Sequence, residues 1–344
     1  MKEIRTEDAV GHILCHDITQ IIKDEKKGVL FKKGHVVKEE DIPLLLSVGK
    51  EHLFVWEKKE GILHENEAAE ILYKICAGNS SKVHGTDIKE GKIEVISKID
   101  GVLKFRRKAL MAVNSLREMM IASRHGDFPV KKEEKIAGTR IIPLVIEKEK
   151  MDVAKAAAGE TPIFDILPYQ KKKVGIVTTG SEIKKGLIQD TFTPVLEEKL
   201  SEFPTEILGQ VMPGDDKEQI TAEILSFADR GADLIVCTGG MSVDPDDRTP
   251  GGIRDTGAEI VTYGAPVLPG AMLLVSYLKR NEKTIPVLGL PGCVMYAKRT
   301  VFDLVLPRVM ADDEIKAEEI ASLGEGGLCL NCPVCTFPNC GFGK

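Results

Sequence analysis

The first sixty residues set short apolar runs between Gly-bearing turns, at 10–14, 18–22, 29–31 and 53–56, which predicts strands around one helix at 39–47 stopped by Gly49. From 65 to 76 the period changes, with Ala68, Ala69, Leu72, Ile75 and Cys76 on one helical face. A polar stretch at 78–85 marks a boundary. Beyond it lie β-like pieces at 91–96 and 101–105, a helix from 108 to about 121, and a strand at 136–145 broken by Pro143. An Ala-rich run at 153–159 and a Pro- and Lys-bearing connection lead into the next region.

From 172 onward the pattern alternates strictly. Runs at 174–178, 206–211, 234–237 and 285–290 read as strands, the third all-apolar. Between them lie a helix at 194–203 with Thr193 as N-cap and Pro194 at its first position, one opened by Asp216 with Gln219 three residues on, and others at 250–257 and 294–310. Continuous apolar strands separated by amphipathic helices predict a parallel sheet covered on both faces. The expected class is α/β: a C-terminal three-layer parallel-sheet domain preceded by smaller β-rich and α+β domains. The expected divisions are 1–78, 79–168, 169–312 and a Cys-rich tail at 313–344.

A chain of 344 residues is too long for one core, and 43% hydrophobic with 29% charged residues places it among ordered globular proteins. Its net charge of −6 excludes a general attraction to nucleic acid or an anionic membrane, so an anionic ligand must be held locally. The charged start and the absence of any run of membrane-spanning length predict a cytoplasmic protein.

In a doubly covered parallel sheet, ligands sit beyond the carboxyl ends of the strands. Four loops qualify there: residues 178–182 (with Thr179, Gly180, Ser181 and Glu182), 213–216, 239–252, and 290–293 with Pro291 and Gly292. Gly239 and Gly240 follow their strand at once, where backbone N–H groups can approach a phosphate closely. Ser242 and then Asp244, Asp246 and Asp247 come next. Carboxylates beside a phosphate pocket require a hard cation such as Mg²⁺ between them, or else they form a plain acidic surface loop. Arg248 and Thr249 just before the helix start favour the anion site.

The run VGIVTTGSEI, PGDDKE, LIVCTGGMSV, VLPGAML and VLGLPGCV resembles, in order, the molybdopterin-binding domain shared by the MoeA and MogA families. AVGHILCHDI, GVLFKKGHVVKEEDI and IAGTRIIPLVI resemble the front half of the MoeA type, so the similarity spans most of residues 1–310. The resemblance implies binding of adenylated molybdopterin, Mg²⁺-dependent insertion of molybdate, release of AMP, and a homodimer. Gly180 and Glu182 match the first phosphate loop of that pattern, and Gly239, Gly240 and Ser242 the central one; its Gly-Asp-x-Asp is here displaced to Asp244, Pro245, Asp246 and Asp247, and the resemblance implies that these aspartates are catalytic and metal-holding. Two departures stand out. A Lys-Pro-Gly-Lys segment of the MoeA type is here Leu268, Pro269, Gly270 and Ala271, and Leu-Pro-Gly-Asn-Pro is Leu290, Pro291, Gly292, Cys293 and Val294. Cys293 is either a ligand-loop thiol or a small core residue.

Cys15, Cys76, Cys237 and Cys293 are scattered, unlike a disulfide framework, whereas Cys329, Cys332, Cys335 and Cys340 form a C-x2-C-x2-C-x4-C tail. Four thiolates at such intervals suit Zn²⁺ or an iron–sulfur cluster, and spacing leaves both open beside a mobile reduced tail. Three functions therefore stand: a molybdenumtransferase-like enzyme; a carrier or maturation factor that passes cofactor to a recipient molybdoenzyme and uses its Cys tail for docking or redox; or an adenylating role of the MogA type.

Overall fold

The computed structural model describes residues 2–22, 26–55, 60–187 and 189–344. By packing, the chain forms two compact units. The first comprises Met1–Lys98, Phe105–Arg124 and Lys132–Asp165; the second comprises Ile99–Lys104, His125–Lys131 and Ile166–Lys344.

In the first unit, strand Lys2–Arg5 pairs with His52–Val55, and Ile18–Ile22 with Lys26–Phe31, beside a core of Ala9, Leu14, Ile18, Val37, Leu45 and Leu53. The strand expected at 10–14 is reduced to isolated bridges at Ile13 and Leu14. Gly11, at φ 83, turns the backbone inside that run. Trp56, at the end of the run expected at 53–56, lies outside the described residues. A four-stranded antiparallel sheet follows, in the order Val83–Gly85, Lys92–Ser97, Lys135–Ile141 and Met119–Ser123, with the helix Glu65–Ala77 packed on it. The helix expected at 108–121 is Arg107–Asn114 only. Arg117 and Glu118 both take φ 61, and Asn114 exchanges two hydrogen bonds of 2.9 Å with the backbone of Ile121, so the chain reverses into a strand that buries Met119 and Ile121.

The second unit carries the sheet that positions the candidate site. Its strands are β1 (Lys172–Thr178), β2 (Thr205–Val211), β3 (Leu234–Thr238), β4 (Glu259–Tyr263), β5 (Leu274–Arg280) and β6 (Lys283–Leu290), in the spatial order β2-β1-β3-β6-β5-β4. The first four in that order are parallel; β5 and β4 run antiparallel at one edge. The all-parallel sheet expected from the sequence is thus a mixed one. Asn281 and Glu282, at φ 51 and 62, form the two-residue turn that joins β5 to β6, and such turns link only antiparallel strands.

Successive residues of each strand face opposite layers. Val174, Ile176, Val236, Leu288 and Leu290 pack with helices α1 (Phe192–Ser201) and α4 (Val301–Met310). Val177, Ile235, Cys237 and Val287 pack with α2 (Lys217–Asp229) and α3 (Thr249–Asp255). At Gly175 a Cβ would overlap the Phe227 ring, so glycine sets how closely α2 can lie on β1. Asp216 caps α2 through the Gln219 N–H at 3.0 Å, as expected. Two helix starts differ from expectation. Asp190 accepts the N–H groups of Phe192 and Thr193, so α1 begins before Pro194. For α4, Thr300 and Asp303 form a reciprocal cap, so the helix expected from 294 begins at Val301, after a separate 3-10 turn at Gly292–Met295.

Candidate functional site

Thr178, Thr238 and Leu290 are register partners across the three central parallel strands. With neighbouring strands about 4.8 Å apart, the three loops that leave them start within roughly 10 Å of one another. The sheet therefore gathers Thr179–Glu182, Gly239–Arg248 and Pro291–Gly292 along one carboxyl edge. Gly180, Gly239 and Gly240 are half-buried there, neither sealed into the core nor fully exposed.

Two of the loops lock together. The Thr179 N–H donates to the Thr238 carbonyl at 2.8 Å, and the buried Thr179 and Thr249 hydroxyls lie 3.0 Å apart. Thr249 donates in turn to the Gly239 carbonyl at 2.9 Å. A Cβ on Gly239 would meet the Thr179 carbonyl oxygen at 2.5 Å, and one on Gly240 would meet the Thr249 hydroxyl at 2.9 Å. Both glycines have positive φ, 82 and 51. Their first physical task is thus to let two loops cross in contact. Thr238 ends β3 with its hydroxyl fully buried and without a hydrogen-bond partner among the described residues. That is a costly arrangement unless a water or ligand completes it.

Ser181 opens the short helical turn Ser181–Lys184, and its N–H donates to the Asp215 carboxylate at 2.7 Å. A carboxylate thus already occupies this amide. Lys184 reaches the Pro213 carbonyl at 2.7 Å and the Gln219 amide oxygen at 2.8 Å, which fastens residues 213–216 to the same edge. Glu182 is exposed.

In the central loop, Ser242, Asp244, Asp246 and Arg248 are exposed and Asp247 is half-buried. The Asp247 carboxylate accepts the Asp244 N–H at 3.2 Å, closing a turn. Tyr263 on β4 donates to the Met241 carbonyl at 2.9 Å and holds the loop from the antiparallel edge. Partial burial, with the Asp247 charge adding to it, pushes the Tyr263 phenol above its ordinary range. Among the described residues no group of three or more His, Cys, Asp or Glu side chains is arranged to hold a metal ion. The three aspartates are therefore not a preformed cage, although Mg²⁺ is commonly held by one or two carboxylates together with substrate phosphates.

Pro291 is buried, and Gly292 is exposed with open space where a Cβ would stand. Cys293 is half-buried in the 3-10 turn, and burial raises its thiol. The Leu268 segment lies at the same edge but in another role: its N–H donates to the Gly327 carbonyl and its carbonyl accepts the Cys329 N–H, both at 2.8 Å. The Cys-bearing tail is thus anchored where the MoeA pattern would place lysines.

Sequence reasoning missed Asp215 and Tyr263, and it read Thr249 as part of an anion-favouring helix start, not as the partner of Thr179. Asp215 and Thr249 stand in segments that were singled out, but which carboxylate meets which amide follows only from the fold. Tyr263 belongs to a strand that the apolar pattern did not reveal.

Residues 175–311 match the family described as "Probable molybdopterin binding domain", and residues 3–57 match one described as a domain of unknown function. A CinA-like protein of Mycobacterium avium is 37% identical over 110 residues, which is 32% of this chain and 25% of that protein. The chain thus spans about a quarter of the length of this curated relative. Among solved structures, the molybdopterin biosynthesis enzyme MoaB of Thermus thermophilus is 26% identical and aligns over 40% of this chain and 91% of its own, with a TM-score of 0.33. A molybdenum cofactor biosynthesis protein of Pyrococcus furiosus is 13% identical over 90% of this chain and 62% of its own, with a TM-score of 0.25. Among the described residues no helix is long and apolar enough to cross a membrane.

Proposed function

We propose that the second unit binds the phosphate-bearing tail of molybdopterin and serves molybdenum cofactor biosynthesis, acting on the adenylated pterin with molybdate as substrate and AMP as product. The observation that carries this reading is the row Thr178, Thr238 and Leu290, which brings three glycine-bearing loops to one edge inside the segment that matches the molybdopterin-binding family.

In this reading the half-buried Gly180, Gly239 and Gly240 present backbone N–H groups to the phosphate, and the exposed Ser242 and Arg248 add a hydroxyl and a positive charge. Ser181 offers its amide once Asp215 gives way. Thr179 acts indirectly, as the positioning residue that joins the two loops through Thr249. Asp244, Asp246 and Asp247 would hold Mg²⁺ together with ligand phosphates, where the ion neutralises charge developing as the phosphoanhydride breaks. Incubation with adenylated molybdopterin, Mg²⁺ and molybdate under anaerobic conditions is expected to release AMP. Asp246→Asn with Asp247→Asn is expected to lower the rate more than the affinity.

One observation favours a second reading, a carrier that delivers cofactor to a recipient enzyme. Leu268 and Ala271 replace lysines of the MoeA pattern, and the Leu268 backbone is committed to the tail. Tight pterin binding without AMP release selects the carrier; no binding of pterin removes both.

A further inference from the structure

The tail is a built structure. Phe342 is buried in the core of the second unit, and Phe337 contacts both Phe128 and Phe342, with ring centroids 5.9 and 6.2 Å away. The Gly343 N–H donates to the Gly326 carbonyl at 2.9 Å, closing residues 326–343 into a loop. At Gly326 a Cβ would overlap the Lys344 carbonyl oxygen, and at Gly327 one would press on the carbonyls of Leu323 and Pro266, so both glycines serve close backbone approach. Within this loop, Cys329, Cys332, Cys335 and Cys340 all line one cavity of about 480 Å³, whose walls also include Leu328 and Phe337. None of the four is in a disulfide.

We propose that this cavity holds an iron–sulfur cluster ligated by Cys329, Cys332, Cys335 and Cys340. Two features favour a cluster. First, C-x2-C-x2-C is the run that supplies three ligands to one [4Fe–4S] centre, while in two-cluster ferredoxins the next cysteine serves the other cluster. Here Cys340 returns to the same cavity and completes the set of four. Second, four thiolates and sulfide carry net negative charge, and Lys298, whose ammonium donates to the Pro333 carbonyl at 3.1 Å, lines the same cavity. Arg299, also in the lining, is committed to the Asp303 and Glu202 carboxylates at 2.8 and 3.2 Å.

Each cysteine gives up its proton to solvent as its sulfur takes an iron. Equal parts of ferrous and ferric iron with an equal total of sulfide assemble a [4Fe–4S] core with no outside oxidant. The site stands at the end of the loop that leaves β6, since Tyr296 and Ala297 also line it, and so it borders the candidate pterin edge. The assignment does not rest on the pterin reading.

The test uses the full chain, prepared anaerobically and then supplied with equal ferrous and ferric iron and sulfide. About four irons and four sulfides per chain are expected, with a broad visible absorption that dithionite bleaches and a reduced-state electron paramagnetic resonance signal. Cys332 and Cys335 are exposed, so Cys332→Ser and Cys335→Ser are expected to keep the circular dichroism of the wild type while losing most of the iron. Cys293→Ser, outside the cavity lining, is expected to retain it. Stoichiometric zinc in place of iron, disulfides among the four, or a chain that stays colourless with four titratable thiols would overturn the assignment. Iron retained in both serine variants would do the same. Iron and sulfide are counted without any pterin, so failure here leaves the pterin reading untouched, and failure of that reading leaves the cluster.

Discussion

Replacing Gly239 by alanine tests the crossing of the two loops on which the candidate site is built. At φ 82 an alanine pays the left-handed penalty, about 1 kcal/mol, and its Cβ would meet the Thr179 carbonyl at 2.5 Å and hydroxyl at 2.8 Å. A backbone carbonyl cannot swing away as a long side chain does, and relieving such an overlap costs about 1–3 kcal/mol. The expected destabilisation is therefore about 3 kcal/mol. For a unit of this size that lowers the thermal midpoint by roughly 6–12 °C. Calorimetry of wild type and Gly239→Ala reads the shift, and Gly292→Ala, with open space at its Cβ, is the internal control expected to move less than about 1 °C. If Gly239→Ala shifted no more than Gly292→Ala, the contact between residues 179 and 239 would not exist in solution, and the anion edge argued from it would fall.

Three further outcomes follow from particular contacts. Asp215→Asn should tighten binding of inorganic phosphate or phosphorylated pterin about threefold to tenfold by isothermal titration, since it removes a negative charge from the Ser181 amide; unchanged or weaker affinity would place the ligand elsewhere. Thr238→Val should raise the stability of the unliganded protein by about 1 kcal/mol by removing an orphan hydroxyl, and a loss instead would mean that this hydroxyl has a partner. His64 is buried, with its Nε2 side bonded to the Cys15 carbonyl at 2.9 Å and Nδ1 accepting the Asn66 N–H, and burial lowers its pKa below the ordinary value. The unfolded chain then binds the proton more readily, so stability of the first unit is complete above about pH 6.5 and declines as pH falls below it. His64→Asn should flatten that slope in urea titrations at pH 5 to 7.

The central parallel strands, Lys172–Thr178, Leu234–Thr238 and Lys283–Leu290, were legible because each contains a continuous apolar run, the signature of a strand buried on both faces, whereas Thr205–Val211 at the edge buries no residue fully. The antiparallel edge was not, because Glu259–Tyr263 buries no residue fully and carries no clean alternation. Helix starts were legible where a side chain caps within three residues, as at Asp216, and misplaced where the effective cap, Asp190 or Thr300, stood outside the apolar run. At the site, residue types and order pointed to the loops, but pairing did not. That Thr179 meets Thr249 and that Asp215 meets Ser181 depends on strand register, which no local pattern encodes. The tail offered its four cysteines at once. That they share one cavity, anchored through Leu268, required the backbone pairing of residues 268 and 328.

The most direct test of the pterin assignment is calorimetric titration of the anaerobic protein with molybdopterin and with its dephosphorylated form. Saturable binding of one molecule per chain is expected, at least about tenfold weaker without the phosphate, a difference of about 1.4 kcal/mol. Equal affinity for the two forms, or no binding of either, would contradict it.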